Sequence, residues 1–228
     1  MTMLIGLIPL SLLGGVLGLD VVSFPQAMIS RPLVAATLAG TLIGHSLSAL
    51  LVGAALELIA LETLPFGASR YPEWGSAAVV GGAIFATHPS HPAGAMEMAI
   101  VASLATAWVG GWTMVKLRER NAYWAARRRA ALDAGSRGAV IDLQLLCMTA
   151  DFLRGALLAA MSYALFAPLT SAAIRAWGTD ARLSRAVVVT VAASIAVSAA
   201  LKIFHGISGA RWLFLSGLVV GLAVIRIV

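Results

Sequence analysis

Two glutamates, Glu57 and Glu62, lie in a segment that is otherwise almost entirely apolar, GHSLSALLVGAALELIALETLP over residues 44–65. A charged side chain such as aspartate costs about 2.5–3.5 kcal/mol at the centre of a membrane helix, so such residues normally face a cavity or a partner. The two glutamates are five positions apart, which separates them by about 140° around a helix. They are therefore not expected to act as a paired general acid and base.

Other polar side chains interrupt the apolar sequence in the same way. Asp20 and Gln26 flank a polar break that contains a proline, and Glu97 and Asp151 stand in later apolar runs. Glu62 lies in the last turn before Pro65, where the negative end of the helix dipole disfavours a carboxylate. We therefore expect Glu62 to need a cation, with Arg70 or Arg31 as its partner.

The sequence carries no recognisable catalytic or metal-binding pattern. It contains no H-E-x-x-H, no C-x-x-C and no Walker glycine loop. His88 and His91 are three residues apart, but Pro89 and Pro92 between and after them are typical of a stiff polar loop rather than a metal site. The single Cys147 lies in an apolar run, which favours a packing role. We expect no catalytic residue, no metal and no cofactor.

The composition is that of a membrane protein. Of 228 residues, 60% are hydrophobic and 11% are charged, and the mean hydropathy is +0.93, whereas soluble domains are about 25% charged. Residues 116–137 hold seven of the sixteen Lys and Arg residues and only two acids. Loops rich in Lys and Arg stay in the cytoplasm, so this segment is predicted to be cytoplasmic, and no nucleic-acid partner is expected.

The apolar pattern predicts an all-α polytopic membrane protein. Its helices are expected at about 3–19, 33–43, 47–64, 75–87, 94–115, 139–167, 184–204 and 210–228. The eleven residues of 33–43 extend about 16 Å, which is too short for a hydrocarbon core of about 30 Å. We therefore predict a re-entrant hairpin over 33–64. Gly, Ala and Glu57 recur at four-residue spacing on its two helices, which favours close helix packing.

The domain organisation follows from the basic segment. Residues 1–115 are predicted to form one membrane half and 138–228 the other, related as inverted repeats of the kind found in transporters. Residues 116–137 form a basic cytoplasmic loop between them, or a short interfacial helix with Tyr123 and Trp124 as anchors.

The order of residues in the hairpin resembles a known signature. Gly40-x3-Gly44-His45-x3-Ala49-Leu50-Leu51-x-Gly53-Ala54-Ala55-Leu56-Glu57 is similar to that of the IIC subunit of the mannose/fructose/sorbose family of the bacterial sugar phosphotransferase system. Asp20, Gln26 and Arg31-Pro32-Leu33 match the polar break and R-P-L that precede it, and the resemblance covers about residues 14–90. Ala49 and Ala54 replace two glycines of the signature. Glu62 and Pro65 also differ from the mannose members, which have a glycine and an amide there.

The resemblance implies a function. A IIC subunit pairs with a IID subunit to form the membrane path, and cytoplasmic IIA and IIB proteins phosphorylate the sugar, so no phosphoryl chemistry is expected in this chain. We expect a multi-pass sugar permease subunit for a hexose-type sugar in the bacterial inner membrane, assembled as a homo-oligomer. The expected substrate-binding residues are Glu57, Gln26, Asp20 and Glu62, with Arg31, Arg70 and Glu73 in supporting ion pairs.

Two alternatives remain open at this point. The first is a regulatory or scaffold subunit that has kept the family fold without transporting sugar. The second is a permease for another small solute, which the buried acids alone suggest.

Overall fold

The computed structural model describes residues 2–63, 70–204 and 208–227, and within these ranges the chain is helical and contains no strand. The predicted all-α fold class is confirmed. The helices are α1 (Thr2–Val22), α2 (Pro32–Ile43), α3 (Ser46–Ala60), α4 (Trp74–Ala86), α5 (Ala95–Arg127), α6 (Arg129–Asp133), α7 (Arg137–Arg175), α8 (Ala181–Phe204) and α9 (Ala210–Ile227).

The largest departures from the expected boundaries are in α5 and α7. Helix α5 was expected to end near residue 115, but it runs to Arg127, and α7 begins at Arg137. Most of the basic segment 116–137 is therefore helical, with α6 between the two long helices, instead of a loop. The physical reason is local, because Ala, Arg, Lys and Glu are good helix formers and no glycine or proline occurs there before Gly135.

Some of the helices are long enough to cross a membrane, and others are too short. Among the described residues, three helices are long and apolar enough to cross a membrane, and they lie in α5, α7 and α8. Helix α1 has 21 residues, or about 31 Å. Helices α2, α3 and α4 have 12, 15 and 13 residues, which gives each of them about 18–23 Å, less than a hydrocarbon core of about 30 Å.

Small residues hold α2 and α3 together as a hairpin. A Cβ on Gly53 would lie 3.0 Å from the carbonyl oxygen of Pro32 and 3.1 Å from the Cβ of Ala36. Gly40 faces Ala49 across the same interface, so the helices approach closely. Gly44, which shares the spacing of Ala36 and Gly40, ends α2 instead of packing. Its φ of 95° is left-handed, and its N–H donates to the carbonyls of Gly40 and Thr41.

Helix α4 is the centre of the bundle. Every residue from Gly75 to Ala86 is buried, and α4 packs against α1, α2, α3, α5 and α7. A Cβ on Gly82 would lie 2.7 Å from both the Cα and the carbonyl oxygen of Ala36. The hydroxyl of Ser76 donates to the carbonyl of Gly14 at 3.2 Å. The fold therefore depends on small side chains along a helix that has no lipid-facing surface.

The direction of the helices gives the bundle two distinct ends. Helix α1 starts at one end and carries Asp20 to the other, where α2 and α4 begin and α3 ends. The backbone N–H of Glu73 donates to the carbonyl of Ala107 at 3.0 Å, so α5 passes this second end before it continues into the basic segment. We call this second end the basic end, and the opposite one, which holds the connection between α4 and α5, the His88 end.

The close approach at Gly82 gives a prediction about stability. Gly82→Val should destabilise the protein by about 1–3 kcal/mol, because overpacking against backbone cannot be relieved by a side-chain rotation. Thermal unfolding in detergent would measure the change. Gly217→Val is the control, because a Cβ on Gly217 meets no atom within 4 Å. Equal melting temperatures for the two variants would contradict the packing described for α4.

Candidate functional site

The basic end contains a cavity of about 240 Å³ between the end of α1, the start of α2 and the connection into α4. We call it the basic-end cavity. Polar and aromatic side chains from four segments line it, and those relevant to binding are Asp20, Gln26, Ser30, Arg31, Thr63, Tyr71 and Trp74. The cavity therefore brings together Asp20, Gln26 and Arg31, which the sequence singled out.

Asp20 organises the loop that follows α1. Asp20 is only 3% exposed. Its two carboxylate oxygens accept hydrogen bonds from the N–H of Ala27 at 2.7 Å and of Ser30 at 2.8 Å. Gln26 and Met28 in this loop adopt left-handed backbone conformations, with φ of 57° and 61°. Such conformations are unfavourable for residues other than glycine, so the Asp20 carboxylate holds the loop in a shape it would not adopt alone.

Gln26 presents its amide at the cavity. The Nε2 group donates to the carbonyl of Val22 at 3.0 Å, which fixes the orientation of the side chain. Its amide oxygen accepts no hydrogen bond from the described residues. An amide oxygen can accept hydrogen bonds, so this atom is suited to bind a donor group on a ligand.

Glu57 and Arg31 form an ion pair across the hairpin. The Nη2 of Arg31 donates to Oε1 of Glu57, and Oε2 accepts from the backbone N–H of Leu33 at 3.2 Å. The carboxylate thus lies at the N-terminus of α2, where the helix dipole favours negative charge. The side chain of Arg31 is 41% exposed and that of Glu57 20%. Arg31 lines the cavity, and Glu57 stands behind it as the group that fixes the guanidinium.

Two aromatic side chains complete the wall, and the sequence reasoning missed both. The indole Nε1 of Trp74 donates to the hydroxyl of Thr63 at 3.1 Å, and the hydroxyl of Tyr71 accepts from Arg118 at 2.9 Å. Burial raises the pKa of the Tyr71 hydroxyl, with the Arg118 guanidinium opposing the change, so the hydroxyl keeps its proton. The available signal was the position of two aromatic residues around Pro72, directly before a buried helix.

Glu62 lies outside the basic-end cavity. Its Oε1 is paired with the ammonium group of Lys202 on α8, and neither Arg70 nor Arg31 is its partner. Glu62 lines a neighbouring cavity of about 310 Å³ that shares Thr63, Pro72 and Trp74 with the first. Its Oε2 is buried and has no partner among the described residues.

Arg70 and Glu73 form no ion pair with a described residue, in contrast to the sequence prediction. The guanidinium of Arg70 lies 5.0 Å above the ring of Trp108, in a cation–π arrangement. Glu73 is fully buried and caps α4, where its Oε1 accepts from the N–H of Ser76 at 3.1 Å. Glu73 therefore caps the start of the central helix. Arg70 and Glu73 each interact with a different partner from the one expected.

The structure also gives the surroundings of Asp151 and the result for metal sites. Asp151 is buried and bonded to Arg154 at 3.0 Å and to the hydroxyl of Ser23 at 3.0 Å. Pro65 lies outside the described residues. Within residues 2–63, 70–204 and 208–227, no group of three or more His, Cys, Asp or Glu side chains is placed to hold a metal ion.

Comparison with known proteins places these features in a family context. A family model described as "PTS system sorbose-specific iic component" matches residues 3–184. A solved chain described as "Structure of membrane protein" has a TM-score of 0.76 at 16% identity, covering 97% of this chain and 92% of its own. A chain from the cryo-EM structure of the mannose transporter ManYZ with microcin E492 has a TM-score of 0.61 at 17% identity, covering 98% and 94%. No curated protein matches the chain.

The role of Asp20 gives a second prediction. Asp20→Ala removes the acceptor of two backbone hydrogen bonds, and bonds to a charged group contribute about 1.5–3 kcal/mol each. Hydrogen exchange at the amides of Ala27 and Ser30 should become much faster, while exchange within α4 stays slow. Asp142→Ala, at an exposed position on α7, is the control and should leave both amides protected. Unchanged protection of Ala27 and Ser30 in a folded Asp20→Ala protein would refute this role.

Proposed function

Because the chain belongs to the sorbose-specific IIC family of the sugar phosphotransferase system, and is thus a membrane sugar-permease subunit, we propose that it carries a hexose-type sugar to partner IIA and IIB proteins that phosphorylate it. We also propose a IID membrane subunit as its partner, a homo-oligomeric assembly and a multi-pass location in the bacterial inner membrane. Phosphoryl transfer belongs to the partner proteins.

The basic-end cavity is the observation that carries the proposal for the binding site. A sugar site needs a few convergent polar groups in a largely apolar pocket. Gln26 offers an amide oxygen, Arg31 offers guanidinium N–H groups, and Thr63 and Tyr71 offer hydroxyls at the same cavity. The indole of Trp74 adds an apolar surface. These are neutral or paired groups, which suits a neutral ligand with many hydroxyls.

The acids have separate roles in this proposal. Glu57 fixes the direction of Arg31, and Asp20 fixes the loop that carries Gln26. Glu62 lines the neighbouring cavity, and Trp74 lies between the two cavities because it lines both of them. We propose that Gln26 and Arg31 contact the sugar directly, that Asp20 and Glu57 position them, and that Glu62 shapes the wall behind Trp74.

The orientation of the cavity follows from charge. Residues 116–137 extend from the basic end, and Lys- and Arg-rich segments remain in the cytoplasm. The basic-end cavity therefore faces the cytoplasmic IIA and IIB proteins in this conformation. The N-terminus and the His88 end lie on the opposite side of the membrane.

Transport tests the site assignment. Sugar uptake with matching IID, IIA and IIB proteins should fall at least about tenfold in Gln26→Ala and in Glu57→Gln, because loss of about 1.4 kcal/mol of binding is a factor of ten. Glu119→Gln is the matched control, since Glu119 forms an exposed ion pair with Lys116. Normal uptake by Glu57→Gln at normal expression would exclude its proposed role. Co-purification with IID without uptake by the unmodified chain would favour a scaffold subunit.

Cysteine labelling tests the orientation. In a Cys147→Ala background, Ala131→Cys should react with an impermeant maleimide only after the cells have been permeabilised. Ser90→Cys, in the exposed connection between α4 and α5, should react in intact cells. The reverse labelling pattern would overturn the orientation without affecting the family assignment.

A further inference from the structure

A second polar cavity lies at the His88 end, far from the site described above. It has a volume of about 300 Å³, and the residues that matter for binding are Gly6, Thr87, His88, Tyr163 and Ser171. Gly6 and Asp20 are fourteen residues apart on α1, which separates the two cavities by about 21 Å along the helix axis. We call this second space the His88-end cavity.

Tyr163 supplies an unused hydrogen-bond donor. The residue is only 7% exposed, and its hydroxyl forms no hydrogen bond with any group that the structure describes. The hydroxyl oxygen itself is accessible from the cavity, although the rest of the side chain is buried. A hydroxyl that lines a cavity and has no protein partner is therefore expected to bond to something inside that cavity.

The other polar groups present acceptors. His88 Nδ1 lies 3.0 Å from the carbonyl of Ile84, which can only accept, so we assign the proton to Nδ1, which leaves Nε2 as the acceptor nitrogen. Thr87 donates its hydroxyl to the carbonyl of Ile84 at 2.6 Å, and Ser171 donates to that of Ala167 at 3.1 Å. The Thr87 oxygen also lies 3.1 Å from His88 Nδ1, and each of the two hydroxyl oxygens keeps a lone pair for a further partner.

The connection that carries His88 is held firmly in place. His91, in the same connection, has a left-handed φ of 48° and stacks on Phe85 with 4.8 Å between ring centroids. Its Nε2 lies 2.7 Å from the hydroxyl of Ser48 on α3. These contacts attach the α4–α5 connection to the hairpin, so the cavity is a built feature of the packed helices.

The balance of donors and acceptors selects a class of ligand. The described lining residues offer one free donor and several acceptors and include no Asp, Glu, Lys or Arg. They do not match an anion, which needs donors, or a hard cation, which prefers carboxylates. A neutral polyhydroxyl molecule matches, because its hydroxyls donate to His88, Thr87 and Ser171 and accept from Tyr163. We propose that the His88-end cavity is a second monosaccharide subsite at the far end of the translocation path, a proposal that rests on the sugar-permease function.

A local thiol reporter in the complete chain tests this subsite. In a Cys147→Ala background, maleimide alkylation of Ile43→Cys, at an apolar position in the cavity lining, would be followed in detergent with glucose, mannose, fructose or sorbose, and with sulfate as an anion. We expect at least one monosaccharide, and not sulfate, to slow alkylation severalfold. Adding Tyr163→Phe should remove this protection, whereas Tyr123→Phe, at the basic end, should leave it intact.

Two further variants separate this subsite from the proposed transport site. Gly6→Leu places a side chain in open space at the cavity, so it should slow alkylation without sugar, and Gly217→Leu should not. Protection should persist in Gln26→Ala even where uptake is lost. Absence of protection by every sugar, protection unaffected by Tyr163→Phe, or protection lost in Gln26→Ala would each overturn the subsite. Uptake by the unmodified chain is scored separately, so its failure bears on the proposed function alone.

Discussion

Irregular backbone at membrane depth is stable only where the protein or a water-filled cavity supplies hydrogen-bond partners, and this constraint governs the arrangement of the short helices. Helices α2, α3 and α4 are all too short to cross, so their ends need partners from the protein. Gly44 closes α2, the Glu73 side chain starts α4, and Glu57 meets the first turn of α2. The polar groups that satisfy these ends gather where the short helices stop. Both cavities lie at such helix ends, where irregular backbone brings polar atoms together.

The complete burial of α4 explains why the two cavities are separate. Helix α4 runs from the basic end to the His88 end, and its glycines are in contact with the backbone of α2 and the side chains of α5. Closely packed interiors do not deform gradually, so they change by displacement of rigid elements. Movement of a solute between the two ends would therefore require the helices around α4 to shift as units. The small residues along α4 give these helices smooth surfaces that suit such a shift.

The sequence predicted those features that local physics determines. The lengths of α2 and α4, the breaks at Gly44 and at Pro89 and Pro92, and the small-residue face of the hairpin all follow from spacing and residue type, whereas α5 and α7 end well beyond the expected positions. Contacts between distant segments were not predictable in this way. Glu62 and Lys202 are 140 residues apart, so nothing in the neighbourhood of Glu62 identifies its partner. Tyr71 and Trp74 enter the site because a connection folds back onto α5, and periodicity contains no information about that folding.

The buried acids also explain how a membrane site can be rich in carboxylates and still accept a neutral ligand. Both oxygens of Asp20 accept hydrogen bonds from backbone N–H groups, Glu73 caps a helix, and Glu57 is paired with Arg31. A carboxylate whose oxygens are already bonded to protein groups offers little attraction to a cation from solution. What remains at the surface of the basic-end cavity is an amide oxygen, guanidinium N–H groups and hydroxyls. In the proposed site the carboxylates build the shape, and the amide, guanidinium and hydroxyl groups are left to recognise the hydroxyls of a ligand.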